Sequence, residues 1–474
     1  MVSLNMPLTH RTKIVATVGP ASSETETLRQ MMLAGMSVAR LNFSHGSYED
    51  HAARIQQLRS LSESLNQPLT LLQDLQGPKI RVGNLPEPIH LVPGDYLTLL
   101  PLAAYRQQPN TVGIDYPAVA EEARTGTQVL LDDGLLELMV DAVEGDAVRC
   151  QIITGGLLKS HKGVNFPSLN LHLPSMTPKD IQDLDFGIAQ GVDIVSLSFV
   201  RQAADVQALK QRLADQQADI PVLAKLEKPQ AIENLEAILD ECDAVMVARG
   251  DLGVEMRPEK VPLLQKKIIR ACNRRGLPVI TATQMLDSMI RNPRPTRAEV
   301  SDAANAIIDG TDAGMLSGES AVGEYPVEAV KMLAKIAADI EPETAFVNYP
   351  PAEIDDPHAM SEALNAIDRV LDLRCIVTLT ETGQSARLAA AERPTVPVVA
   401  LTPNPATYHR LNLVWGVRPI LVQQLDSSID RLLKQVEVTL RERGFVAAGD
   451  KILLLGGMPF NVAHSTNFLK IHTL

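Results

Sequence analysis

Two short stretches of the chain place charged side chains where buried strands are expected to end. The stretch Leu223-Ala-Lys-Leu-Glu227 supplies Lys225 and Glu227, and the run Val245-Met-Val-Ala-Arg-Gly-Asp-Leu-Gly-Val-Glu255 supplies Asp251. Glu227 and Asp251 are hard oxygen ligands suited to Mg²⁺ or Mn²⁺, which takes one or two carboxylates from a protein and leaves positions for substrate and water. These carboxylates therefore predict a divalent cation site.

Lys225 adds a positive charge beside this site. It lies two residues from Glu227, so the two side chains share one face if the strand stays extended. An ammonium next to a metal ion suits phosphoryl transfer, because that chemistry depends on charge neutralisation and positioning and needs little covalent work by the protein. A simple ion pair between the lysine and a carboxylate is the structural alternative.

The elements that must hold these residues follow a βα alternation. Residues 12–75 contain three apolar strands alternating with amphipathic helices, and the alternation resumes after a plausible helix start at Thr177-Pro-Lys-Asp180. Three strands before the break and five after it make eight, which predicts a (β/α)₈ barrel of the TIM type, closed by a helix near 327–341. The five later strands are expected near 192–199, 221–226, 243–248, 277–282 and 312–316.

Two further segments differ from the barrel pattern. From Gly77-Pro78 to about Phe166-Pro167, short alternating stretches separated by Gly-rich turns predict an inserted β-barrel-like module on two hinges, placed to act as a lid. A Pro-rich linker, Tyr349 to Pro357, leads to a smaller α/β domain with strands near 374–380, 396–402, 418–422 and 451–456. The predicted division is 1–76 and 168–345 for the barrel, 77–167 for the lid and 346–474 for the C-terminal domain.

Composition excludes several classes of protein. The 474 residues are 45% hydrophobic with only 3% aromatics, so cores of aliphatic residues in parallel sheets are expected. The net charge of −13 argues against nucleic-acid binding, which needs a basic surface. No signal peptide or apolar run long enough to span a membrane is evident, so a cytoplasmic protein is expected. The four cysteines are widely spaced, which favours reduced thiols.

The predicted carboxyl ends of the barrel strands define one rim, which is the active face of such barrels. For any single residue there, helix capping or a surface ion pair is an equally good explanation. That explanation weakens for the set, because one arginine, one lysine and three carboxylates fall on the same rim. The candidate rim residues are Arg40, Asn42, Ser44, Asp74, Lys225, Glu227, Asp251, Thr283 and Ser317.

Three loops offer anion sites of differing strength. The turn Ala248-Arg-Gly-Asp251 could bind a carboxylate through backbone N–H groups at a helix start, although Arg-Gly-Asp alone is usually just a turn. The basic loop Arg291-Asn-Pro-Arg-Pro-Thr-Arg297 suits a salt-bridge hub as well as a phosphate. In the third domain, Thr380-Glu-Thr-Gly-Gln-Ser385 forms a possible phosphate cradle for an effector, with helix capping by Thr382 or Ser385 as the alternative.

Several longer motifs resemble the pyruvate kinase family over nearly the whole chain. They are Met36-Ser-Val-Ala-Arg-Leu-Asn-Phe-Ser-His-Gly46, Asp74-Leu-Gln-Gly-Pro-Lys-Ile-Arg81, Ala224-Lys-Leu-Glu227, Val247-Ala-Arg-Gly-Asp-Leu-Gly-Val-Glu255, Thr281-Ala-Thr-Gln-Met-Leu-Asp-Ser-Met289, Asn292-Pro-Arg-Pro-Thr-Arg-Ala-Glu299 and Met315-Leu-Ser-Gly-Glu-Ser320. The resemblance implies a barrel, a β-domain lid, a C-terminal regulatory α/β domain and a homotetramer. It also implies phosphoryl transfer from phosphoenolpyruvate to ADP, giving ATP and an enolate that is protonated to pyruvate.

The resemblance assigns roles to the rim residues. Lys225 would stabilise the migrating phosphoryl group, Glu227 and Asp251 would hold Mg²⁺ or Mn²⁺, and Arg40 would grip the phosphate. The backbone of Arg249, Gly250 and Asp251 would bind the substrate carboxylate, with Thr283 also in the substrate site. Thr283 and Ser317 would lie where the enolate is protonated. Asn42, His45 and Arg81 would lie near the nucleotide phosphates.

One departure concerns a monovalent cation. Many members of the family carry Thr-Lys-Gly-Pro-Glu after the aspartate of strand three and require K⁺, which is bound by residues matching Asn42, Ser44, Asp74 and the carbonyl of Leu75. This chain has Leu75-Gln-Gly-Pro-Lys79 instead, as in the K⁺-independent branch. We therefore expect the tethered ammonium of Lys79 to replace the ion.

The C-terminal cradle also resembles the family's phosphosugar loop, with Gln384 where arginine is common and Thr380, Thr382, Gly383 and Ser385 matching. The later loop Leu455-Gly-Gly-Met-Pro-Phe-Asn461 lacks the Thr/Ser-rich run of fructose-1,6-bisphosphate-regulated members, so a sugar monophosphate or AMP is the expected activator. Two other functions are alternatives. A barrel lyase or mutase acting on phosphoenolpyruvate or pyruvate would need no nucleotide, and a catalytically dead metabolite sensor would have lost Lys225, Glu227 or Asp251.

Overall fold

The structure is a computed structural model that describes residues 10–167, 169, 173–349, 355–426, 428–458 and 466–474. The N-terminal start, most of the Pro-rich linker and the end of the loop after Leu455 lie outside the described residues. The first part of the barrel is built from β1 (Lys13–Thr17), α1 (Thr25–Ala34), β2 (Met36–Asn42), α2 (Tyr48–Leu65) and β3 (Thr70–Asp74).

The segment between β3 and the rest of the barrel forms its own sheets around an aliphatic core that includes Leu99, Val129 and Leu138. One sheet has the strand order β11-β7-β8-β9-β5-β6, and β10 pairs with β4. A short helix, α3, interrupts the strands and was not expected from the turn-rich pattern. The elements are β4 (Ile89–Leu91), β5 (Tyr96–Pro101), β6 (Thr111–Ile114), α3 (Val119–Glu122), β7 (Gln128–Leu131), β8 (Leu136–Glu144), β9 (Ala147–Thr154), β10 (Gly156–Leu158) and β11 (Val164–Asn165).

The chain then completes the barrel. Its parallel strands close in the order β1-β16-β15-β14-β13-β12-β3-β2, which confirms the predicted (β/α)₈ fold. Inward-facing residues such as Val15, Leu223 and Ile280 fill the interior. The elements are α4 (Pro178–Gln190), β12 (Ile194–Leu197), α5 (Ala203–Asp215), β13 (Val222–Leu226), α6 (Pro229–Glu233), α7 (Leu235–Glu241), β14 (Ala244–Ala248), α8 (Arg249–Glu255), α9 (Val261–Arg274), β15 (Val279–Ala282), α10 (Arg297–Ile308), β16 (Ala313–Leu316), α11 (Gly318–Ala321) and α12 (Pro326–Ile340).

The C-terminal domain is a five-stranded sheet in the order β19-β18-β17-β20-β21 with helices packed on it. The four predicted strands are present, and a fifth, β21, runs antiparallel at the edge. Sequence reasoning missed β21 because its residues are only half-buried or exposed, so no apolar run marks it. The elements are α13 (Asp356–Val370), β17 (Cys375–Leu379), α14 (Gln384–Ala391), β18 (Val398–Thr402), α15 (Pro405–Arg410), β19 (Val417–Leu421), α16 (Ile429–Glu442), β20 (Lys451–Gly456) and β21 (Phe468–Thr473).

The C-terminal domain packs against the amino ends of the barrel strands, opposite the candidate rim. The buried Lys13, at the start of β1, donates to the carbonyl oxygen of Val417 at 2.5 Å. Asn412 Nδ2 donates to the carbonyl oxygen of Ser37 at 2.8 Å, immediately inside β2. The guanidinium groups of Arg11 and Arg393 lie 5.1 and 4.8 Å from the ring centre of the buried Trp415. None of the helices in the described ranges is long and apolar enough to cross a membrane.

Burial of His10 at this interface predicts an acid-sensitive fold. Desolvation and then the charge of Arg418 lower the pKa of His10 from 6.5 to about 4. The unfolded chain therefore takes up the proton first, so the contribution is complete above pH 6.5 and is lost as the pH falls toward 4. The loss corresponds to roughly 3 kcal/mol of unfolding free energy. In urea titrations at pH 7 and pH 4.5, the unfolding free energy of His10→Asn should fall less between the two pH values than that of the wild type.

The exposed His90 provides the matched control. His90→Asn should retain the wild-type pH dependence. An identical pH dependence of unfolding in His10→Asn would show that His10 is not a source of the acid sensitivity.

Candidate active site

A buried carboxylate forms the base of the rim. Asp74 is the last residue of β3 and is 1% exposed. Arg40 from β2 lies beside it, with Nε donating to Oδ2 at 2.7 Å, and Ser196 from β12 donates to Oδ1 at 2.6 Å. Burial alone would raise the pKa of Asp74, but the charges of Lys225 and Arg40 outweigh it and lower the pKa to about 2. Asp74 is therefore ionised, and its charge is balanced by Arg40 on β2 and Lys225 on β13.

The ammonium of Lys225 lies between two carboxylates. Its Nζ is 3.3 Å from Asp74 Oδ1 and 3.1 Å from Glu227 Oε1, and it donates to Ser198 Oγ at 2.7 Å. Burial opposes its protonation, but the two carboxylates outweigh burial and raise the pKa of Lys225 above its ordinary value. The lysine–carboxylate ion pair that was the alternative to a role in phosphoryl transfer is thus present. It also holds a fixed positive charge at the rim.

Glu227 and Asp251, the predicted metal ligands, lie close enough to affect each other's charge. Glu227 is 1% exposed, and desolvation, together with repulsion from Asp251, raises its pKa even though Lys225 opposes this. Asp251 is in the first turn of α8, its side chain 32% exposed. No cluster of three or more potential metal-ligating side chains occurs in the described ranges, and the charge of Asp251 acts on Glu227, so these two carboxylates are the candidate pair. That donor set fits Mg²⁺, which keeps other positions for water and substrate.

An unusual backbone conformation at Phe199 helps to hold Glu227. Phe199 has a φ of +56°, a left-handed value that is strained for an aromatic residue, and its N–H donates to Glu227 Oε2 at 2.7 Å. Gly77, at the start of the inserted segment, packs against the same place: a Cβ on it would lie 2.9 Å from both Phe199 Cδ2 and Ser198 Cβ. Sequence reasoning missed Ser196, Ser198 and Phe199, and only the position of the two serines at the end of β12 could have indicated them.

Gly250, Thr283 and Ser317 follow the next three strands around the barrel from β13, which are β14, β15 and β16. Thr283 follows β15 with a φ of +74°, and Ser317 follows the neighbouring β16. A Cβ on Gly250 would lie 2.6 Å from Thr283 Cγ2, so glycine is required for this close approach. The side chain of Arg249 donates to Asp302 Oδ1 and to the carbonyl oxygen of Thr283, each at 2.8 Å.

The predicted nucleotide and monovalent-cation residues are spread over the adjacent loops. Asn42 pairs with Asp74 in register, and its Oδ1 accepts from the N–H of Ser44 at 3.2 Å. His45 is exposed just beyond them. The carbonyl oxygen of Leu75 accepts from Ser198 Oγ at 2.7 Å.

Two basic residues lie where the chain enters the inserted segment. Lys79 Nζ lies 3.5 Å from Asp251 Oδ1 and 3.8 Å from Asp133 Oδ1 in the inserted segment. Arg81 bridges to Gly163, and its Nη1 donates to the carbonyl oxygen of His161 at 3.1 Å. The ammonium of Lys79 therefore contacts one candidate metal ligand directly.

The C-terminal cradle is a compact loop whose hydroxyl groups have partners. Gly383, with a φ of +88°, is the N-cap of α14. Helix capping by Thr382 or Ser385, the alternative to a phosphate cradle, is therefore not observed. Thr380 Oγ1 accepts from the N–H of Gly383 at 2.9 Å, and Ser385 Oγ bonds with Thr466 Oγ1 at 2.7 Å. Thr382 Oγ1 receives only a long contact, 3.4 Å, from the N–H of Gln384.

These features define a class of protein: a (β/α)₈-barrel enzyme whose rim combines a fixed ammonium with two carboxylates suited to a divalent cation. Comparison with known families narrows this class. The description "Pyruvate kinase, barrel domain" matches residues 9–330, and "Pyruvate kinase, alpha/beta domain" matches residues 358–472.

Individual relatives agree with the family match. Pyruvate kinase 2 of Synechocystis sp. is 48% identical over 477 residues, covering 99% of this chain and 80% of the relative. Pyruvate kinases of Staphylococcus epidermidis and Staphylococcus aureus are each 43% identical over 472 residues, covering 98% of this chain and 80% of each relative. The chain belongs to the pyruvate kinase family and is a phosphotransferase of glycolysis.

The contact between Gly250 and Thr283 provides a test of the rim geometry. Gly250→Ala should lower stability by about 1–3 kcal/mol, because the new methyl group overlaps Thr283 Cγ2. Thr283→Ser removes that methyl group and keeps the hydroxyl, so the double variant should recover most of the loss. Chemical denaturation of the single and double variants measures both effects. A double variant no more stable than Gly250→Ala would show that the methyl group of Thr283 is not what the new side chain overlaps.

Proposed function

We propose that the chain transfers the phosphoryl group of phosphoenolpyruvate to ADP, with Lys225 as the residue that stabilises the migrating group. The single observation that supports this role is the position of its ammonium, 3.1 Å from Glu227 and 3.3 Å from Asp74. The pKa of Lys225 is raised, so the side chain carries a full positive charge at neutral pH. A fixed cation that is already oriented stabilises developing negative charge without reorganisation during the reaction.

Glu227 and Asp251 would hold Mg²⁺ or Mn²⁺. When bound, the ion would neutralise charge on the phosphate and enolate oxygens. Burial, and to a lesser extent repulsion from Asp251, raises the pKa of Glu227, so its charged form would gain from a shared divalent cation. The N–H of Phe199 keeps one oxygen of Glu227 in a fixed direction.

The remaining substrate groups would be held by residues on both sides of Lys225. Arg40, fixed by Asp74 and by the hydroxyl of Thr17, would bind the phosphate. The backbone from Arg249 to Asp251 would bind the substrate carboxylate, and this role depends on the family resemblance. Thr283 and Ser317, which follow neighbouring strands, would lie near the carbon that is protonated when the enolate becomes pyruvate.

The nucleotide would bind between the rim and the inserted segment. Asn42 and His45 on the loop after β2 and Arg81 at the entry to the inserted segment are the proposed phosphate contacts. We assign residues 1–76 and 168–345 to the barrel, 77–167 to a lid and 346–474 to a regulatory domain. Closure of such a lid would exclude water from the transferring group.

We also propose that K⁺ is not required, because Lys79 supplies a tethered positive charge at the same rim. Its ammonium lies between Asp251 and Asp133. The region that holds K⁺ in other members would comprise Asn42, Ser44, Asp74 and the carbonyl of Leu75. In this chain the charge of Asp74 is already balanced by Arg40 and Lys225.

Regulation would occur in the C-terminal domain. Thr380, Thr382, Gly383, Gln384 and Ser385 would bind the phosphate of a sugar monophosphate or AMP at the start of α14. The position of Gly383 at the N-cap supports this, because the first N–H groups of a helix favour an anion. A cytoplasmic homotetramer is proposed from the family resemblance.

A coupled assay with lactate dehydrogenase tests the reaction. Phosphoenolpyruvate and ADP should give pyruvate with Mg²⁺, and a panel of sugar phosphates and AMP should reveal the activator.

Lys225→Met should abolish phosphoryl transfer, because the charge beside the migrating group is lost, yet leave protonation of enolpyruvate measurable. Equal loss of both partial reactions would contradict the role of Lys225, and the absence of activity under every combination would defeat the proposed reaction.

The ion requirement has a separate test. At fixed ionic strength, replacing a bulky organic cation with K⁺ should change the rate by less than about twofold, because a tethered charge already occupies the rim. A steep rise with K⁺ would overturn the proposed role of Lys79. Na⁺ at the same concentration controls for a general salt effect.

A further inference from the structure

Both connections of the inserted segment contact the same helix, α8, which carries Asp251. On the entry side, Lys79 Nζ lies 3.5 Å from Asp251 Oδ1. On the return side, Asn165 in β11 donates from Nδ2 to Glu255 Oε1 at 2.6 Å. Asp251 and Glu255 are four residues apart and therefore lie on one face of the helix. This face of α8 is where the inserted segment meets the candidate metal ligands.

Glu255 is buried and contacts two polar side chains at this point. Its side chain is 1% exposed, and the oxygen that accepts from Asn165 also lies 2.5 Å from Lys228 Nζ. Lys228 directly follows Glu227 in the chain, so the ion pair connects Glu255 to the second candidate metal ligand. Glu255 is thus linked to Asp251 through the helix and to Glu227 through Lys228.

Local preferences do not explain a carboxylate at this position. Glu255 is the last residue of α8, and a negative charge at a helix C-terminus is unfavourable. Burial of a charge is also costly unless it is paired and hydrogen-bonded. The contacts with Asn165 and Lys228 compensate both costs, and the contact with Asn165 depends on the position of the inserted segment.

We propose that Glu255 is a positioning residue that sets the separation of Asp251 and Glu227 and makes it depend on Asn165 of the inserted segment. This proposal rests on the proposed function, in which those two carboxylates hold the divalent cation. Movement of the inserted segment away from the rim would break the Asn165 contact and loosen α8. Return of the segment would restore the carboxylate pair, so closure over the substrates and completion of the cation site would occur together.

Mn²⁺ binding measured by electron paramagnetic resonance, without substrates, tests this directly. Asn165→Ala cuts the link to the inserted segment and keeps the Lys228 ion pair. Glu255→Gln removes that ion pair and keeps an oxygen that accepts from Asn165. Each variant should weaken Mn²⁺ binding by about tenfold, the usual effect of losing a partner behind a metal ligand. Glu259→Gln, which removes an exposed carboxylate from the same region, should bind Mn²⁺ as the wild type does.

A purely structural role predicts a different result. If Asn165 and Glu255 only fasten the inserted segment, the variants should melt at lower temperature while the folded protein binds Mn²⁺ within twofold of the wild type; that outcome overturns the proposal. The double variant should lose less than the product of the two single losses, because both changes interrupt one link, and fully independent losses would also contradict it. If Glu255→Gln does not fold, Asn165→Ala still decides the question.

The test also separates this proposal from the proposed reaction. A wild-type protein that makes pyruvate, with variants that bind Mn²⁺ normally, would refute the positioning role and leave the reaction intact. A wild-type protein that makes no pyruvate, with weakened Mn²⁺ binding in both variants and not in Glu259→Gln, would refute the reaction and support the positioning role.

Discussion

The rim depends on a balance of charge that no single strand could maintain. Asp74 is buried and ionised because Arg40 and Lys225, on two other strands, lie against it. Each of these charges would be costly if left alone in the barrel interior. The strands β2, β3 and β13 must therefore stay in their observed register for any of the three side chains to remain at the rim. The closed barrel is thus a condition for the site and not only a scaffold on which it is placed.

Around this balance, the backbone holds the reactive groups in fixed directions. The positive φ of Phe199 turns an N–H toward Glu227, and the strain is supported by the close packing of Gly77 on the same residue. Thr283, which follows β15, also has a positive φ and contacts Gly250. Strain of this kind persists where surrounding contacts determine the conformation more strongly than local preference does. These contacts therefore fix the backbone of Phe199 and Thr283 without a ligand.

Much of the fold and part of the rim could be predicted from the sequence, since hydrophobic periodicity and residue spacing indicate the structure of each single strand or helix. The barrel followed from the βα alternation, and Lys225, Glu227 and Asp251 followed from charged residues at the ends of apolar runs. The contact of Lys225 with Asp74 could not be predicted, because it depends on the directions in which two side chains extend across the intervening strand β12. The roles of Phe199 and Glu255 were also hidden, because one depends on a backbone angle and the other on a contact with a residue ninety positions earlier in the chain.

The C-terminal domain contacts the barrel at the end away from the rim, and the contact includes an unusual aromatic residue. Trp415 is the single tryptophan of the chain; it is 1% exposed and lies against the guanidinium groups of Arg11 and Arg393. Indole emission is sensitive to nearby charge and to water. The protein therefore contains one indole beside seven tyrosines, and that indole lies at the junction between the two largest parts of the protein. When the indole is excited selectively over the tyrosines, its emission spectrum reports on that junction without a label and without a contribution from the rim.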